Sequence, residues 1–323
     1  MANLATQIID QWGNYYIDGG QNERDLNRLL LFDNTFAKNA TTVPTQNQVI
    51  KMALATLTEI IQGFQNKWTP KGTVDFEPNE IILTKLKVDY EFYPDDVEES
   101  WLGFLASNNL DRKTWPIVRW IAEKLFIPQI VDDLERNALY KGVKQPITVG
   151  TASTTAASMN GLKYYLQNKT GINRLTPIAL DASVIYDQIE KLYEEIQEEY
   201  QSLNMGIYLA PKWYRAFLKD KRTLGYYQIT KPGEINSSLD FSPANVIGMP
   251  SMIGTDDIFI THKSNLIYGV KKSENQSRVQ IENIDRLVKL YTDFFLGVGF
   301  AINQAVWTTV PAAVPEPEPE PEP

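Results

Sequence analysis

FFLGVGFAINQAVW, from Phe294 to Trp307, admits three incompatible structures, and the choice between them fixes the kind of protein. It could cross a membrane, form a glycine-rich phosphate loop, or be a strand in a sheet that needs another molecule to cover it. A membrane-spanning helix needs about 20 apolar residues. Here the apolar run ends after nine residues, at Asn303 and Gln304. The length therefore excludes a membrane span.

The two glycines of this stretch, Gly297 and Gly299, do not predict a phosphate loop. A dinucleotide-binding loop has a third glycine three residues later and a capped helix behind it, but Ile302 stands at that position. The pattern GxxxxGK followed by Ser or Thr is also absent from the sequence. We therefore predict a strand, in which the glycines relieve crowding where the sheet twists.

The composition predicts a folded chain with a buried core and no specific nucleic-acid surface. With 323 residues, 43% of them apolar, the chain is long enough for about two domains. The formal net charge is -9, and four acidic residues lie in the last nine, PEPEPEPEP. No basic block stands out. The N-terminus, MANLATQIIDQWG, has no basic start and no long apolar run, so we expect no signal peptide.

Few residues could carry catalysis. The chain has no cysteine, which excludes disulfides, thiolate nucleophiles and cysteine-based zinc sites. Its one histidine, His262, stands at the polar end of the apolar run DIFIT. Because no nucleophile motif accompanies it, we predict that His262 is a surface or turn residue rather than a catalytic one.

An acidic cluster lies in YPDDVEES, which supplies Asp95, Asp96, Glu98 and Glu99. These carboxylates could form a metal or acid-base site. We favour a structural interpretation, in which Asp95 or Asp96 caps a helix that begins VEESWLGFL, because acidic residues stabilise the first turn of a helix. We therefore predict no catalytic, cofactor-binding or metal-binding residue and no enzymatic activity. A carboxylate-dependent enzyme remains a remote alternative.

Periodicity predicts the elements of the first half of the chain. Residues 1–43 are predicted to be an extended arm with a short helical piece, ERDLNRLLLF, and apolar residues three and four apart predict a helix over 44–64. Two β-rich runs between 67 and 94, split at 77–80, predict a long hairpin. TWPIVRWIAEKLFIPQIVDDLERNALYKG (114–142) predicts a helix of roughly 40 Å, kinked at Pro128.

Small helices and short strands are predicted for the second half. A small-residue loop at 146–160 precedes an amphipathic helix over 178–204. GIYLAP is predicted to be a buried strand, and Pro211 to begin a short helix. DIFIT, NLIYGVKK, SRVQIENI and RLVKLYTD are predicted strands. The alternating Pro and Glu of the C-terminal tail cannot build a core and predict an extended polyproline II segment.

The order of these parts resembles that of the major capsid proteins of tailed bacteriophages, which have the HK-ninety-seven-like fold. EIILTKLKVDYEFYPDDVEESWLGFL is similar to the family's returning hairpin strand and the short helix after it, and 114–142 to its spine helix. QIEKLYEEIQEEYQSLNMGIYLAPKWYRAFLKDKRTLGYY is similar to its axial domain. SRVQIENIDRLVKLYTDFFLGVGFAINQAVWTT is similar to the strands that close its peripheral domain. The resemblance covers roughly residues 45–309.

The resemblance implies an α+β fold, with parts at 1–62 (N-terminal arm and helix), 63–93 (extended β-hairpin loop), 94–145 with 266–309 (peripheral domain, spine helix 114–141), 146–265 (axial domain) and 310–323 (disordered Pro-Glu tail). It implies a structural subunit that assembles with itself into the hexamers and pentamers of an icosahedral virion capsid, in the cytoplasm of a bacterial host. Scaffolding, portal and decoration proteins are the implied partners. Packaged DNA would be contacted only non-specifically, and no membrane would be involved.

Two further expectations depend on the resemblance. The first is an alternative function: an encapsulin-type nanocompartment has the same fold but encloses a cargo enzyme. The second concerns the lysine–asparagine crosslinks that join subunits in some members of the family. The lysines near the predicted hairpin match no crosslinking position, so no crosslinking residue is predicted among Lys67, Lys71, Lys85 and Lys87.

Overall fold

The computed structural model describes residues 34–112, 115–225, 229–231, 234–272, 279–284 and 287–313, which form an α+β architecture. The helices are α1 (Thr35–Asn39), α2 (Pro94–Asn108), the long α3 (117–138), α4 (Leu162–Asn168), α5 (Ile185–Glu194), α6 (Glu198–Gln201) and α7 (Pro211–Thr223). The strands are β1 (Thr41–Thr45), β2 (Val49–Leu57), β3 (Val74–Ile82), β4 (Thr84–Phe92), β5 (Asn173–Arg174), β6 (Met205–Leu209), β7 (Ile229–Lys231), β8 (Glu234–Ile235), β9 (Asn245–Gly248), β10 (Phe259–His262), β11 (Leu266–Lys271), β12 (Gln280–Ile284), β13 (Leu287–Phe300) and β14 (Val306–Thr308).

The segments predicted for the two chain termini lie partly outside these ranges. The helical piece predicted at 23–32 and the Pro-Glu repeat from 314 onward lie outside the described residues. The predicted tail nevertheless begins too early, because Val310 is buried and the Ala313 amide donates to the Gln167 carbonyl at 3.0 Å. Residues 310–313 are therefore part of the packed structure.

The first five-stranded sheet is built around the 14-residue strand β13. β4 pairs along one side of β13, β12 and β11 pair along the other, and β1 joins β11 in parallel. Alternate residues of a strand point to opposite faces of the sheet. Phe294, Leu296, Val298 and Phe300 accordingly enter the main core, whereas Phe295 belongs to a second, smaller core on the other face. The predicted strand over this stretch is confirmed.

The long helix α3 packs into the main core and spans 117–138, which is shorter at both ends than the predicted 114–142. Its segments Ile121–Phe126 and Leu134–Ala138 are π-helical, which makes their turns wider than those of an α-helix. In the first of them the Ile127 amide donates to the Ala122 carbonyl, five residues earlier. Pro128 has no N–H to donate and its ring crowds the preceding turn. The wider turn therefore lets the helix continue through the proline.

The second five-stranded sheet has the order β5-β14-β10-β6-β9. β6 is buried at every position and α7 begins at Pro211, as predicted. β14 pairs with β10 and β5, so the expectation that the chain stays in the first sheet as far as Trp307 is wrong. Between the sheets the backbone of Ile302 is held by Asn265, which accepts from its amide at 2.7 Å and donates to its carbonyl at 2.8 Å.

The single helix predicted over 178–204 is also wrong in part, because α5 and α6 are separate helices. At the break between the two helices, side chains form hydrogen bonds with backbone groups. Gln201 Nε2 donates to the Ile196 carbonyl at 2.6 Å, and Glu195 Oε2 accepts from the Thr176 amide at 2.9 Å. The predicted apolar stripe is buried over its first four members, Ile185, Ile189, Leu192 and Ile196.

β2 and β3 form a two-stranded hairpin in which Val49 lies opposite Ile82 and Leu57 opposite Val74. The helix predicted over 44–64 is therefore wrong. The hairpin predicted between 67 and 94 is wrong in register, because 77–80 lies inside β3 and β4 pairs with β13 instead. Both errors have one cause. The apolar spacing of VIKMALATL fits a helix locally, but distant cross-strand partners decide its structure.

Three glycines allow the base of this hairpin to lie directly on the first sheet. Gly297 and Gly299 share one face of β13, and Gly269 of β11 lies opposite Gly297. A methyl group added to Gly297 would lie 2.7 Å from the carbonyl oxygen of Ile82, and one on Gly299 would lie 2.9 Å from the Ile81 side chain. We call these glycines the glycine patch. Beside it a small core contains Ile50, Ile81, Leu83, Ile267 and Phe295.

We expect Gly297→Ala to lower the free energy of unfolding by about 1–3 kcal/mol, because the new methyl would collide with backbone and not with a movable side chain. Gly103 of α2 is the matched control, since an added methyl there meets no atom within 4 Å. Gly103→Ala should raise the free energy of unfolding by about 0.5–1 kcal/mol. Urea unfolding followed by circular dichroism measures both, and equal effects would contradict the glycine patch.

A second prediction concerns Glu135 on the second π-helical segment of α3. Burial raises the pKa of this carboxyl, and hydrogen bonds from Thr35 and Phe36 of α1 oppose the rise without cancelling it. The folded state therefore binds this proton more tightly than the unfolded state does. The resulting stabilisation is present below the ordinary pKa of 4.5 and is lost as the pH rises through the folded-state value.

Glu135→Gln should consequently raise the thermal midpoint more at pH 8 than at pH 4, because glutamine cannot ionise. Calorimetry at the two pH values measures the difference. Asp133, whose Oδ1 accepts from Gln129 Nε2 at 3.1 Å on the exposed side of α3, supplies the control variant Asp133→Asn. A Glu135→Gln effect that did not grow with pH would contradict the assignment.

Candidate assembly surface

The acidic cluster lies in the first turns of α2. The helix begins at Pro94, and its N-cap, Tyr93, makes no side-chain cap, so the predicted capping by Asp95 or Asp96 is wrong. The fixed φ of proline suits the first helical position, so the helix starts at Pro94, three residues before the expected Val97. Within the described ranges, no three potential metal ligands come together and no helix is long and apolar enough to cross a membrane.

His262 and the lysines make ordinary surface contacts. His262 ends β10, where its Nδ1 lies 2.6 Å from Ser264 Oγ in a local turn. Lys71 pairs with Glu59 at 3.0 Å and Lys85 with Asp293 at 2.8 Å, and these pairs are largely exposed. Such ion pairs contribute little to stability. The absence of a catalytic residue stays a prediction.

A cluster of large exposed apolar residues lies at the end of the β2–β3 hairpin, in residues 58–73, which we call the hairpin tip. Ile60 is 53% exposed, Ile61 80%, Phe64 96% and Trp68 89%. Single exposed apolar side chains are common on protein surfaces, whereas several within sixteen residues mark an interaction site.

The hairpin tip is held by its own polar groups. The Thr58 amide donates to the Thr73 carbonyl at 3.1 Å, Gln62 Nε2 to the Thr69 carbonyl at 2.7 Å, and Lys71 Nζ to the Ile61 carbonyl at 2.7 Å. Gly72 has a φ of +101, which a residue with a side chain rarely adopts. Because polar side chains turn inward to satisfy the backbone, the large apolar side chains are left outside.

The base of the hairpin is anchored to the body by side-chain hydrogen bonds as well as by the glycine patch. Asn79 Nδ2 donates to the Phe300 carbonyl at 2.6 Å and lies 3.2 Å from Asn303 Oδ1. The two strands are also joined at their base by a backbone hydrogen bond from the Leu83 amide to the Gln48 carbonyl at 2.7 Å. The anchored base and the exposed tip together make the hairpin a fixed projection.

Sequence reasoning missed the hairpin tip because it placed Ile60, Ile61 and Phe64 in a helix. One local signal could have found it. The segment GFQNKWTPKGT contains two glycines and a proline, which interrupt any helix and are typical of a loop between two strands. The strand-like runs on both sides would then have paired with each other.

A second exposed apolar segment follows α3. Val143, Ile147 and Val149 are all exposed, Val149 almost completely. The Val143 amide donates to the Ala156 carbonyl at 2.8 Å, and the Gln145 amide to the Ala157 carbonyl at 3.0 Å, so this loop too has a defined backbone. This loop is an apolar surface separate from the hairpin tip.

Solved phage structures share this architecture. The satellite phage P4 procapsid that includes the size determination (Sid) protein matches 88% of this chain and 89% of its own, with a TM-score of 0.60 and 12% identity. The capsid of the empty GTA particle matches 86% and 90%, at 0.51 and 13%. A structure of Microbacterium phage Oxtober96 matches 86% and 91%, at 0.51 and 11%.

The likeness is one of structure and not of sequence. No protein-family model matches the chain, and comparison with curated proteins finds no match. The structural matches nevertheless extend over nearly nine-tenths of both chains. The predicted α+β architecture is confirmed: this chain has the HK-ninety-seven-like fold of the phage capsid proteins.

Proposed function

We propose that this chain is the major capsid protein of a tailed phage, a structural subunit that assembles with itself into the hexamers and pentamers of an icosahedral shell around double-stranded DNA. The observation that carries the proposal is the hairpin tip, which presents Ile60, Ile61, Phe64 and Trp68 to solvent on a fixed projection. The shared fold with phage capsid proteins supports the same conclusion.

Burial of the hairpin tip against another copy would supply a favourable association energy. Each large apolar side chain contributes about 1.5–3 kcal/mol when it is fully removed from water. A free monomer leaves all four side chains in water and gains none of this free energy, whereas a neighbouring copy that buried them would. A surface of this kind is therefore explained by a neighbour that covers it.

The shape of the projection favours a closed assembly over a simple dimer. Strand β2 has nine residues, so the hairpin extends roughly 30 Å. A tip that reaches this far contacts a different surface on the next copy, for which the apolar loop at 143–149 offers one candidate. Contacts between unlike surfaces form closed rings or continue as lattices. Rings of five and six copies are the closed assemblies that an icosahedral shell requires.

The charge of the chain suits a shell around DNA. The net charge is -9, so the protein as a whole repels a polyanion and would contact packaged DNA only non-specifically. We propose scaffolding, portal and decoration proteins as further partners, the virion capsid as the location, and the bacterial cytoplasm as the place of assembly. Nucleic acid inside purified shells distinguishes this function from an encapsulin-type compartment, which would hold a cargo enzyme.

Deletion of the hairpin tip tests the proposal. Replacing residues 58–73 with Asn-Gly, a pair that joins strands in a tight turn, should leave a folded monomer with an unchanged thermal midpoint. It should abolish the closed shells that the unaltered protein forms, with or without added scaffold, in electron micrographs. The monomer survives because the base contacts at Asn79 and the glycine patch are untouched. Normal shells from this variant would overturn the role of the tip.

Point variants separate the apolar side chains from the shape of the hairpin tip. Phe64→Ser combined with Trp68→Ser should raise the protein concentration needed for assembly at least about tenfold, because two buried aromatic groups are lost. Lys67→Ser alters an exposed polar residue of the same tip and is the matched control. Light scattering measures the onset of assembly, and equal onsets for both variants would count against the proposal.

A further inference from the structure

A single turn between β8 and β9 displays the most exposed aromatic residue of the described chain. Residues 239–244, which we call the Phe241 turn, begin and end with the buried residues Leu239 and Ala244, joined by a hydrogen bond of 2.9 Å between the Leu239 amide and the Ala244 carbonyl. Phe241 at the apex is fully exposed, at 107% of its reference area. The turn therefore holds its ends in the core and its ring in solvent.

The backbone of Phe241 adopts a conformation that is unfavourable for its side chain. Its φ is +58, in the left-handed region, where bulky residues are rare and Asn or Gly are common. Solvent exposure of the ring brings no compensating burial. Strained residues of this kind occur where function requires a particular presentation of a side chain.

A buried ion pair fixes the turn. Lys221 of α7 is completely buried, and its Nζ donates to the Ser238 carbonyl at 2.5 Å and to Asp240 Oδ1 at 2.9 Å. The Asp240 amide in turn donates to the Tyr186 hydroxyl at 3.3 Å. Separation of this pair would leave the buried Lys221 charge without its partner, which is strongly unfavourable, so the pair restrains the turn. The Lys221–Asp240 pair therefore holds the turn in the conformation that exposes the Phe241 ring, despite the unfavourable φ of Phe241.

The two helices that bond to the turn each carry an exposed apolar residue at one end. Leu224 ends α7 three residues beyond Lys221, Val184 precedes α5 two residues before Tyr186, and both side chains are more than two-fifths exposed. The charge of Lys221 is balanced by Asp240. An apolar partner surface therefore fits this place better than a charged one.

We propose that Phe241 is a contact residue between copies of this chain, whose ring is buried in the surface of a second copy. The size of the contact identifies the occupant. One phenylalanine buries about 200 Å² at most, whereas a stable interface between free proteins buries over 1,000 Å². The ring can therefore retain only a partner that other contacts already hold nearby, as copies in an assembly are held. The inference rests on the proposed function.

Phe241→Asn is the discriminating variant, because asparagine enters the left-handed region more readily than phenylalanine while it removes the ring. Its monomer should have an unchanged or higher thermal midpoint. Its onset of assembly in light scattering should require about a tenfold higher protein concentration, since a buried phenylalanine is lost at each contact. The variant should therefore weaken assembly without lowering the thermal midpoint. If the ring only stabilised its own chain, the thermal midpoint would fall as well.

Phe241→Leu is the control, because it keeps an apolar side chain and should restore most of the assembly. A photoreactive side chain gives a direct readout: Phe241→p-benzoylphenylalanine should yield crosslinked dimers of this chain in assembled particles and none in dilute monomer. An onset for Phe241→Asn equal to that of the unaltered protein would overturn the inference. A lowered thermal midpoint would also overturn it, since the ring would then be covered within its own chain.

The unaltered protein separates this inference from the proposed function. If it forms no shells, sheets or rings with scaffold supplied, the proposed function fails and the inference fails with it. If it assembles and Phe241→Asn assembles equally well, only the inference fails.

Discussion

The base of the β2–β3 hairpin lies in direct contact with the first sheet, and the position of the hairpin tip follows from that contact. Gly297 and Gly299 place no side chain between the sheet and β3, so Ile81 and Ile82 lie against the sheet. A methyl group on either glycine would collide with them. A two-stranded hairpin is marginal by itself in water. The glycine patch supplies the surface that stabilises its base and thereby fixes where the tip points.

The same region joins the two sheets. Asn265 bonds to both the amide and the carbonyl of Ile302, in the segment that connects the two sheets. Asn79 of the hairpin donates to the carbonyl of Phe300, two residues earlier. The base of the hairpin is therefore hydrogen-bonded to the same segment that connects the sheets. Buried backbone groups need such partners. The projection is consequently part of the folded body, which is the condition for using it as a defined contact between subunits.

The local patterns that predicted structure correctly are those whose burial is decided nearby. Alternation in β13, the proline at the start of α7 and the apolar face of α3 each agree with the observed elements. The acidic cluster at Asp95 was correctly placed at a helix start, although Pro94 and not an aspartate begins that helix. The site was less predictable, because Ile60 and Phe64 have the spacing of a helical face and only their exposure shows that they serve another purpose.

Residue order and periodicity alone were enough to predict a long helix and a late glycine-bearing strand, and the resemblance to capsid proteins implied the α+β fold. Pairing was decided by the tertiary structure. Whether VIKMALATL is helix or strand depends on Ile81 and Ile82, whether Trp307 belongs to the first or second sheet depends on β10, and whether Phe241 is buried or displayed depends on Lys221. Each of these partners lies many residues away, and a local pattern contains no information about which distant segment will supply the hydrogen bonds and the cover.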